Sequence, residues 1–254
     1  MTQQTVTLRQ TVLGSGRPKI AVPITGATEA AILAQATAVK AAKPDLVEWR
    51  IDYFEGVTDA QQLTATGTQL RAALGDLALL TTFRTHGEGG ELALSDDAYF
   101  KICDAVIAGG YTDAIDVERY HNETAVKAVV EKAHAQQVKV IMSNHDFDKT
   151  PVAAEIVQRL TSMAAFGADV PKMAVMPQSV EDVLTLLTAT HQAASTLAQP
   201  IITMSMADLG KVSRIAGEVF GSAVSFGTVG AASAPGQISL THLQHDLDDL
   251  KLTD

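Results

Sequence analysis

The segment A-D-V-P-K-M-A-V-M-P, residues 168–177, is an apolar run with a single lysine, Lys172, near its centre. A short run that is apolar on both faces is typical of a strand in a parallel sheet covered by helices on both sides. Lysine is almost never fully buried without a partner, because burial removes its ammonium group from water. The segment therefore predicts a buried parallel strand whose lysine has a specific task.

Seven other runs of this type lie along the chain, and alanine-rich helical stretches such as 28–42 and 180–198 lie between them. The eight runs cover residues 19–25, 45–51, 77–84, 112–117, 138–144, 170–176, 200–205 and 222–229. This alternation predicts βα units and a parallel sheet. Without a break in composition or a long linker, eight units favour an α/β fold of one domain over residues 1–254, a (β/α)8 or TIM barrel. An open doubly wound sheet is the main alternative.

The two ends of the chain are expected to add elements to the barrel. Residues 1–18 alternate in hydrophobicity and then break at Gly14 and Gly16. We expect this segment to form a β-hairpin that covers the bottom of the barrel. At the other end, the stretch 237–250 predicts a final helix.

The composition is that of an ordinary globular protein, with a net charge of -10, 46% hydrophobic and 19% charged residues. The acidic charge disfavours nucleic acid and anionic membranes as partners, and no apolar run is long enough for a transmembrane helix. Cys103 is the only cysteine, so no intrachain disulfide forms, and its apolar helical surroundings indicate a buried structural thiol. Because the first residues lack the basic and apolar regions of a signal peptide, we expect a cytoplasmic protein.

Charged side chains recur at the carboxyl ends of the predicted strands, where TIM barrels carry their active sites. Glu48 and Arg50 lie two residues apart, so both leave the same face of the second strand. The following strands contribute Arg84 with Glu88, Asp116 with Glu118, His145, and Lys172. Steps of about one βα unit separate these positions, and they therefore predict one ring at the barrel mouth. For each charge taken singly, a solvated side chain or a structural ion pair is the alternative.

A buried lysine and a histidine on neighbouring strands suit Schiff-base chemistry. Burial and the nearby cations Arg50 and Arg84 favour the neutral amine of Lys172, which attacks a carbonyl carbon. His145 then moves protons while Glu88 orients its imidazole. Arginine can hold a substrate carboxylate. The pattern predicts a lyase or aldolase for a small oxo-acid, and we expect no metal or cofactor, since zinc-type His/Cys spacing and nucleotide-binding glycine motifs are absent from the sequence.

Six stretches together resemble one enzyme family. They are E-W-R-I-D (48–52), T-F-R-T-H-G-E-G-G (82–90), S-N-H-D-F (143–147), P-K-M-A-V-M-P (171–177), M-S-M-A-D-L-G-K-V-S-R (204–214) and A-S-A-P-G-Q-I (232–238). In this order they resemble the type I 3-dehydroquinate dehydratases, whose layout fits all but residues 1–18. The resemblance implies a (β/α)8 barrel, a homodimer, and removal of water from 3-dehydroquinate through a lysine Schiff base in the shikimate pathway.

The resemblance also implies roles for individual residues. Lys172 forms the imine, His145 removes a proton from C2 and helps to expel water, and Glu88 supports His145. Contacts with the substrate are implied for Glu48, Arg50, Arg84, Arg214, Ser233 and Gln237, with Met206 and Phe147 as apolar walls and residues 231–237 as a closing lid. One position departs from the pattern, because Pro23 stands where some members carry a serine that touches the substrate.

Two other functions stay open at this point. A class I aldolase for a sugar phosphate would use the same lysine and hold the phosphate at Gly227–Gly230, although a tight turn explains these glycines more simply. A non-catalytic binder of shikimate-type acids would keep the ring of charges without turnover. The arginines suit a carboxylate, and the number of matching motifs favours the dehydratase over both.

Overall fold

The computed structural model describes residues 4–230 and 234–252 of the chain. Near its N-terminus, β1 (Val6–Leu8) pairs antiparallel with β2 (Thr11–Leu13), so the predicted hairpin is present. Arg9 adopts a left-handed φ of 54° in the tight turn between them. Leu8 and Leu13 are buried in one apolar cluster with residues at the amino ends of the following strands.

Eight parallel strands form the centre of the fold. They are β3 (Lys19–Ile24), β4 (Leu46–Arg50), β5 (Ala78–Thr82), β6 (Ala114–Glu118), β7 (Lys139–Asp146), β8 (Val170–Val175), β9 (Ile202–Ser205) and β10 (Val224–Thr228). Each strand pairs with the next from β3 to β9, and β10 pairs with β3. Between β9 and β10, Ile201 and Ser222 form a parallel bridge, and the Ala223 N–H donates to the Ile201 carbonyl at 2.8 Å. The predicted (β/α)8 barrel is confirmed.

Helices between the strands cover the outside of the barrel. They are α1 (Glu29–Ala42), α2 (Ala60–Leu74), α3 (Asp96–Ala108), α4 (Glu123–Ala135), α5 (Ala153–Ala165), α6 (Val180–Thr196), α7 (Lys211–Ile215), α8 (Gly217–Phe220) and α9 (Leu240–Asp249). Side chains of Thr28, Asp59, Ser95, Asn122, Ser179 and Ser239 accept backbone N–H bonds and start six of them. Cys103 is buried in α3, as expected. No helix within the described ranges combines the length and the apolarity that a membrane span requires.

The final helix starts later than the sequence pattern predicts. Residues 238 and 239 form a short strand, β11 (Ile238–Ser239), which pairs in parallel with the end of β10. The Ser239 side chain then accepts the backbone N–H of His242, so the helix begins only at Leu240. The prediction of a helix from residue 237 was wrong at this end because a cap and a strand pairing fix the boundary.

On several strands, including β4 and β8, the side chains that point into the barrel change from apolar to charged. On β4, Leu46 belongs to the inner apolar cluster, and Glu48 and Arg50 lie above it on the same face. On β8, Val170 likewise lies below Lys172. The apolar lower layer thus supports a buried charged layer at the carboxyl ends of the strands.

Candidate active site

One pocket at the carboxyl ends of the strands collects every predicted site residue except Ser233, which lies outside the described residues. The pocket is lined by Glu48, Arg50, Arg84, Glu88, His145, Phe147, Lys172, Met206, Arg214 and Gln237, together with Gly89, Ala174, Met204, Phe226, Ala234 and Pro235. Its empty space is about 620 Å³ including the open mouth. A lining of apolar surfaces with a few convergent charged groups suits a small polar ligand.

Lys172 lies on the inner face of β8 with only 3% of its surface exposed. Its Nζ is 3.1 Å from the Asp116 Oδ2 and 3.9 Å from the Glu48 Oε1. The same ammonium lies 4.8 Å from the centre of the Phe226 ring, at cation–π distance. Two carboxylates and one aromatic face therefore surround the amine.

The predicted effect of the arginines on Lys172 differs from the observed geometry. We expected Arg50 and Arg84 to act on the amine as like charges. Two carboxylates lie 3.1 and 3.9 Å from its Nζ, because the barrel brings Asp116 of β6 and Glu48 of β4 close to Lys172. Positive charge at this nitrogen is thus stabilised by its neighbours.

Both arginines are held by carboxylates of their own. The Nε and Nη2 of Arg50 donate to the two oxygens of Asp52 at 2.8 and 2.7 Å. For Arg84, Nη2 lies 2.9 Å from the Asp116 Oδ2 and Nη1 donates to the Glu118 Oε1 at 2.8 Å. Because these partners are buried, the guanidinium groups are fixed in position before any ligand binds.

The His145 side chain is held by Glu88 at the edge of the pocket. The Glu88 Oε2 lies 2.9 Å from the imidazole Nδ1 and also accepts the backbone N–H of His145 at 2.9 Å. The other oxygen, Oε1, accepts the Asn144 Nδ2–H at 3.0 Å. Since Glu88 occupies Nδ1, the nitrogen that remains for a ligand is Nε2.

Burial shifts the pKa values of Glu88 and His145 in opposite directions. Burial lowers the pKa of His145 well below its usual value, and the cations Arg84 and Lys172 lower it further. In contrast, burial and the negative charge of Glu118 raise the pKa of Glu88. An additional proton therefore enters the pair at Glu88, and the imidazole of His145 stays neutral, as a general base must be.

Arg214, on α7, differs from the other two arginines. Only 2% of its surface is exposed, and its Nη2 donates to the Pro235 carbonyl at 2.9 Å. Its Nε has no hydrogen-bond partner, and no carboxylate of residues 4–230 or 234–252 lies within ion-pair distance of it. Burial without such a partner lowers the pKa of the guanidinium to about 10. An anion in the pocket would supply the missing charge.

Comparison with known proteins places the chain in a family. The sequence pattern of the type I 3-dehydroquinases matches residues 20–254. The chain belongs to this family. The family and the enzyme class predicted from the sequence are therefore confirmed.

Relatives and solved structures of this family resemble the chain over nearly its whole length. A 3-dehydroquinate dehydratase of Lactiplantibacillus plantarum is 70% identical over 98% of this chain and 99% of its own length. One from Listeria innocua is 51% identical over 96% of both chains. The type I 3-dehydroquinate dehydratase of Clostridium difficile, solved with covalently modified comenic acid, superposes with a TM-score of 0.95 at 44% identity over 98% of both chains.

Several residues of the site received no role from the sequence. Asp116 was expected in the charged ring, but its contact with Lys172 depends on barrel closure. Asn144 and Asp52 occur only as parts of the matching motifs. Nothing in the spacing indicates Phe226, the single aromatic residue of its strand. In the described part of the chain, no group of three or more His, Cys, Asp or Glu side chains is arranged for a metal ion.

The local structure explains Gly227 and Gly230 and shows where Pro23 lies. A Cβ on Gly227 would lie 3.3 Å from both Ile20 and Leu243, so glycine suits the close packing of α9 against the sheet there. Gly230 has a φ of 87°, which marks a turn. These glycines are thus explained without a phosphate. Pro23 lies on β3 in register with Glu48, and its ring offers no hydrogen-bonding group.

Proposed function

We propose that this chain removes water from 3-dehydroquinate to give 3-dehydroshikimate, through a Schiff base on Lys172, as a step of the shikimate pathway. The observation that carries the proposal is the buried amine of Lys172, which shares a pocket with His145 on the neighbouring strand. Membership of the type I family supports the reaction. Incubation with 3-dehydroquinate tests it, because the product contains a conjugated enone that absorbs in the ultraviolet. Binding without this absorbance change would favour a non-catalytic binder.

The first step forms the imine. The Lys172 ammonium first releases one proton to a base of the pocket, and the neutral amine attacks the ketone carbon. The carbinolamine then takes up one proton, and its hydroxyl leaves as water to give a protonated imine. The positive charge of the imine lies where the ammonium was, 3.1 Å from Asp116 and near Glu48. These carboxylates are already in place, so they stabilise the cation without rearrangement.

The second step eliminates the hydroxyl group. The Nε2 of His145 takes the proton from C2, and the electron pair moves into the imine to form an enamine. The enamine then expels the β-hydroxyl, which leaves as water with the proton from His145. Hydrolysis of the imine consumes one water and returns the amine of Lys172. The net reaction therefore releases one water for each substrate.

The remaining pocket residues position the substrate in this proposal. Arg214 binds the substrate carboxylate, because its guanidinium is buried and lacks an acidic partner in the described chain. The other proposed contacts are polar groups of Glu48, Arg50, Arg84, Ser233 and Gln237 and apolar surfaces of Met206 and Phe147. The described part of the proposed lid supports closure, since Pro235 already accepts a hydrogen bond from Arg214.

Replacement of Arg214 by methionine is expected to raise KM about ten- to hundredfold with a smaller effect on kcat. The variant removes a charge-assisted contact of about 1.5–3 kcal/mol and keeps a side chain of similar length. Steady-state kinetics of the dehydration measure it. The control is Lys211→Met on the same helix, where the lysine is half exposed and lies outside the pocket. An unchanged KM for Arg214→Met would contradict the assignment.

The pH dependence of kcat/KM is expected to report Glu88. Burial raises the pKa of Glu88, so the carboxylate that holds the Nδ1–H of His145 is lost as pH falls through a value well above 4.5. The acid limb should therefore lie well above pH 4.5. In Glu88→Gln the limb should move to lower pH, because the pKa of His145 is depressed. A limb at the same pH in both proteins would contradict this account.

We also propose that the chain acts in the cytoplasm as a homodimer. The family resemblance supports the dimer, and the single cysteine, buried in α3, suits a reducing compartment. Light scattering coupled to size-exclusion chromatography tests the dimer directly. A monomer at micromolar concentration would contradict it.

A further inference from the structure

A chain of hydrogen bonds connects the candidate base to an arginine behind the pocket. The Arg159 Nη1, on α5, donates to the Asn144 Oδ1 at 2.8 Å. The Asn144 Nδ2 in turn donates to the Glu88 Oε1 at 3.0 Å, and Glu88 Oε2 lies 2.9 Å from His145 Nδ1. Arg159 and Asn144 lie outside the residues that line the pocket. The hydrogen-bonded route from these two residues to His145 therefore passes through Glu88.

The series of hydrogen bonds has a fixed direction because Arg159, at its outer end, can only donate. A guanidinium has no acceptor, so the atom of Asn144 that faces Arg159 must be the carbonyl oxygen. The amide group of Asn144 then faces Glu88 as a donor and favours an unprotonated Oε1. An ionised Glu88 in turn requires the proton of His145 on Nδ1, which leaves the Nε2 lone pair free for the pocket.

We propose that Arg159, acting through Asn144 and Glu88, fixes His145 in the tautomer whose Nε2 is free to take a proton. This inference rests on the proposed role of His145 as the base. Arg159 and Asn144 are then positioning residues, which set the state of the base without touching the substrate.

The charges around this chain determine the sign of the pH effect. Glu88 faces the cation Arg84 and the anions Glu118 and Asp116. His145 faces the cations Arg84, Lys172 and Arg50. Arg159 faces Glu155, Asp146 and Tyr120. Burial and Glu118 raise the pKa of Glu88, and the Asn144 amide opposes this shift. Loss of the hydrogen bond from the Asn144 amide should therefore raise the pKa of Glu88 further. The acid limb of kcat/KM should then move to higher pH.

Arg159→Met tests this inference, with Arg159→Lys as the variant that keeps the charge and a donor. We expect Arg159→Met to lower kcat about tenfold near neutral pH, the size of one charge-assisted bond, with little change in KM. Its acid limb should shift to higher pH, and Arg159→Lys should restore much of the loss. Glu155→Gln is the matched control, because it removes an ion pair of the same guanidinium and leaves the Asn144 bond intact. It should behave as wild type.

Two further measurements separate the chain of bonds from simple alternatives. Asn144→Ala should shift the limb in the same direction, and Arg159→Met should add little to it in the double variant. If the acid limb shifts in Arg159→Met but not in Asn144→Ala, the charge of Arg159 acts directly on the base, and the proposal is overturned. In ¹⁵N-histidine spectra without substrate, the His145 signal should be the Nδ1–H tautomer in wild type and move towards Nε2–H in Arg159→Met. An unchanged tautomer and limb would overturn the inference, whereas an inactive wild type would overturn the proposed function instead.

Discussion

Replacement of Lys172 by alanine is expected to abolish turnover of 3-dehydroquinate, lowering kcat by at least about 10⁴-fold. The reason is that the amine is the only proposed nucleophile, and the elimination depends on the imine as an electron sink. Neither Asp116 nor Glu48 can replace it, because a carboxylate cannot form an imine. The measurement is the rate of enone formation by the purified variant.

Two variants separate this chemical effect from a loss of folding. Lys172→Met fills the buried space and should be equally inactive with a cooperative thermal transition. Lys139→Ala removes a partly exposed lysine that pairs with Asp169 far from the pocket, and it should keep the wild-type rate. A folded Lys172→Met protein with a near-normal rate would refute the assigned role.

The second large effect is expected for His145→Ala, which should lower kcat by about 10²–10⁴-fold. The proton at C2 would then lack a positioned base, although the imine on Lys172 could still form. Reduction with borohydride should therefore trap substrate on the variant even though little product appears. His191→Ala, an exposed histidine on α6, serves as the control and should retain full activity. Suppose instead that borohydride traps no substrate on His145→Ala, and yet an imine that has already formed still goes on to product. His145 would then act in imine formation, and another residue would be the base.

The barrel could be predicted because its signal is local and repeated. Each strand is a short apolar run between helical segments, and β8 with Lys172 shows the pattern as clearly as any other. The boundary of α9 could not be predicted, since it depends on the Ser239 cap and on a pairing of β11 with β10. Local sequence gives the elements, while distant pairings fix their ends.

The site was predictable as a set of positions but not as a set of contacts. Alternation along β4 places Glu48 and Arg50 on one face, and the barrel then gathers them with Lys172. Which carboxylate meets which cation depends on the register between strands, such as Ser143 opposite Lys172. The ion pair of Lys172 with Asp116 therefore appeared only in three dimensions.

The central claim, a Schiff base on Lys172, is tested most directly by borohydride reduction in the presence of 3-dehydroquinate, followed by peptide mass spectrometry. The account predicts a mass increase on the peptide that contains Lys172, only when both substrate and borohydride are present. The Lys172→Ala protein should show none. An active wild-type protein without a substrate-dependent adduct, or with the adduct on another lysine, would contradict the account.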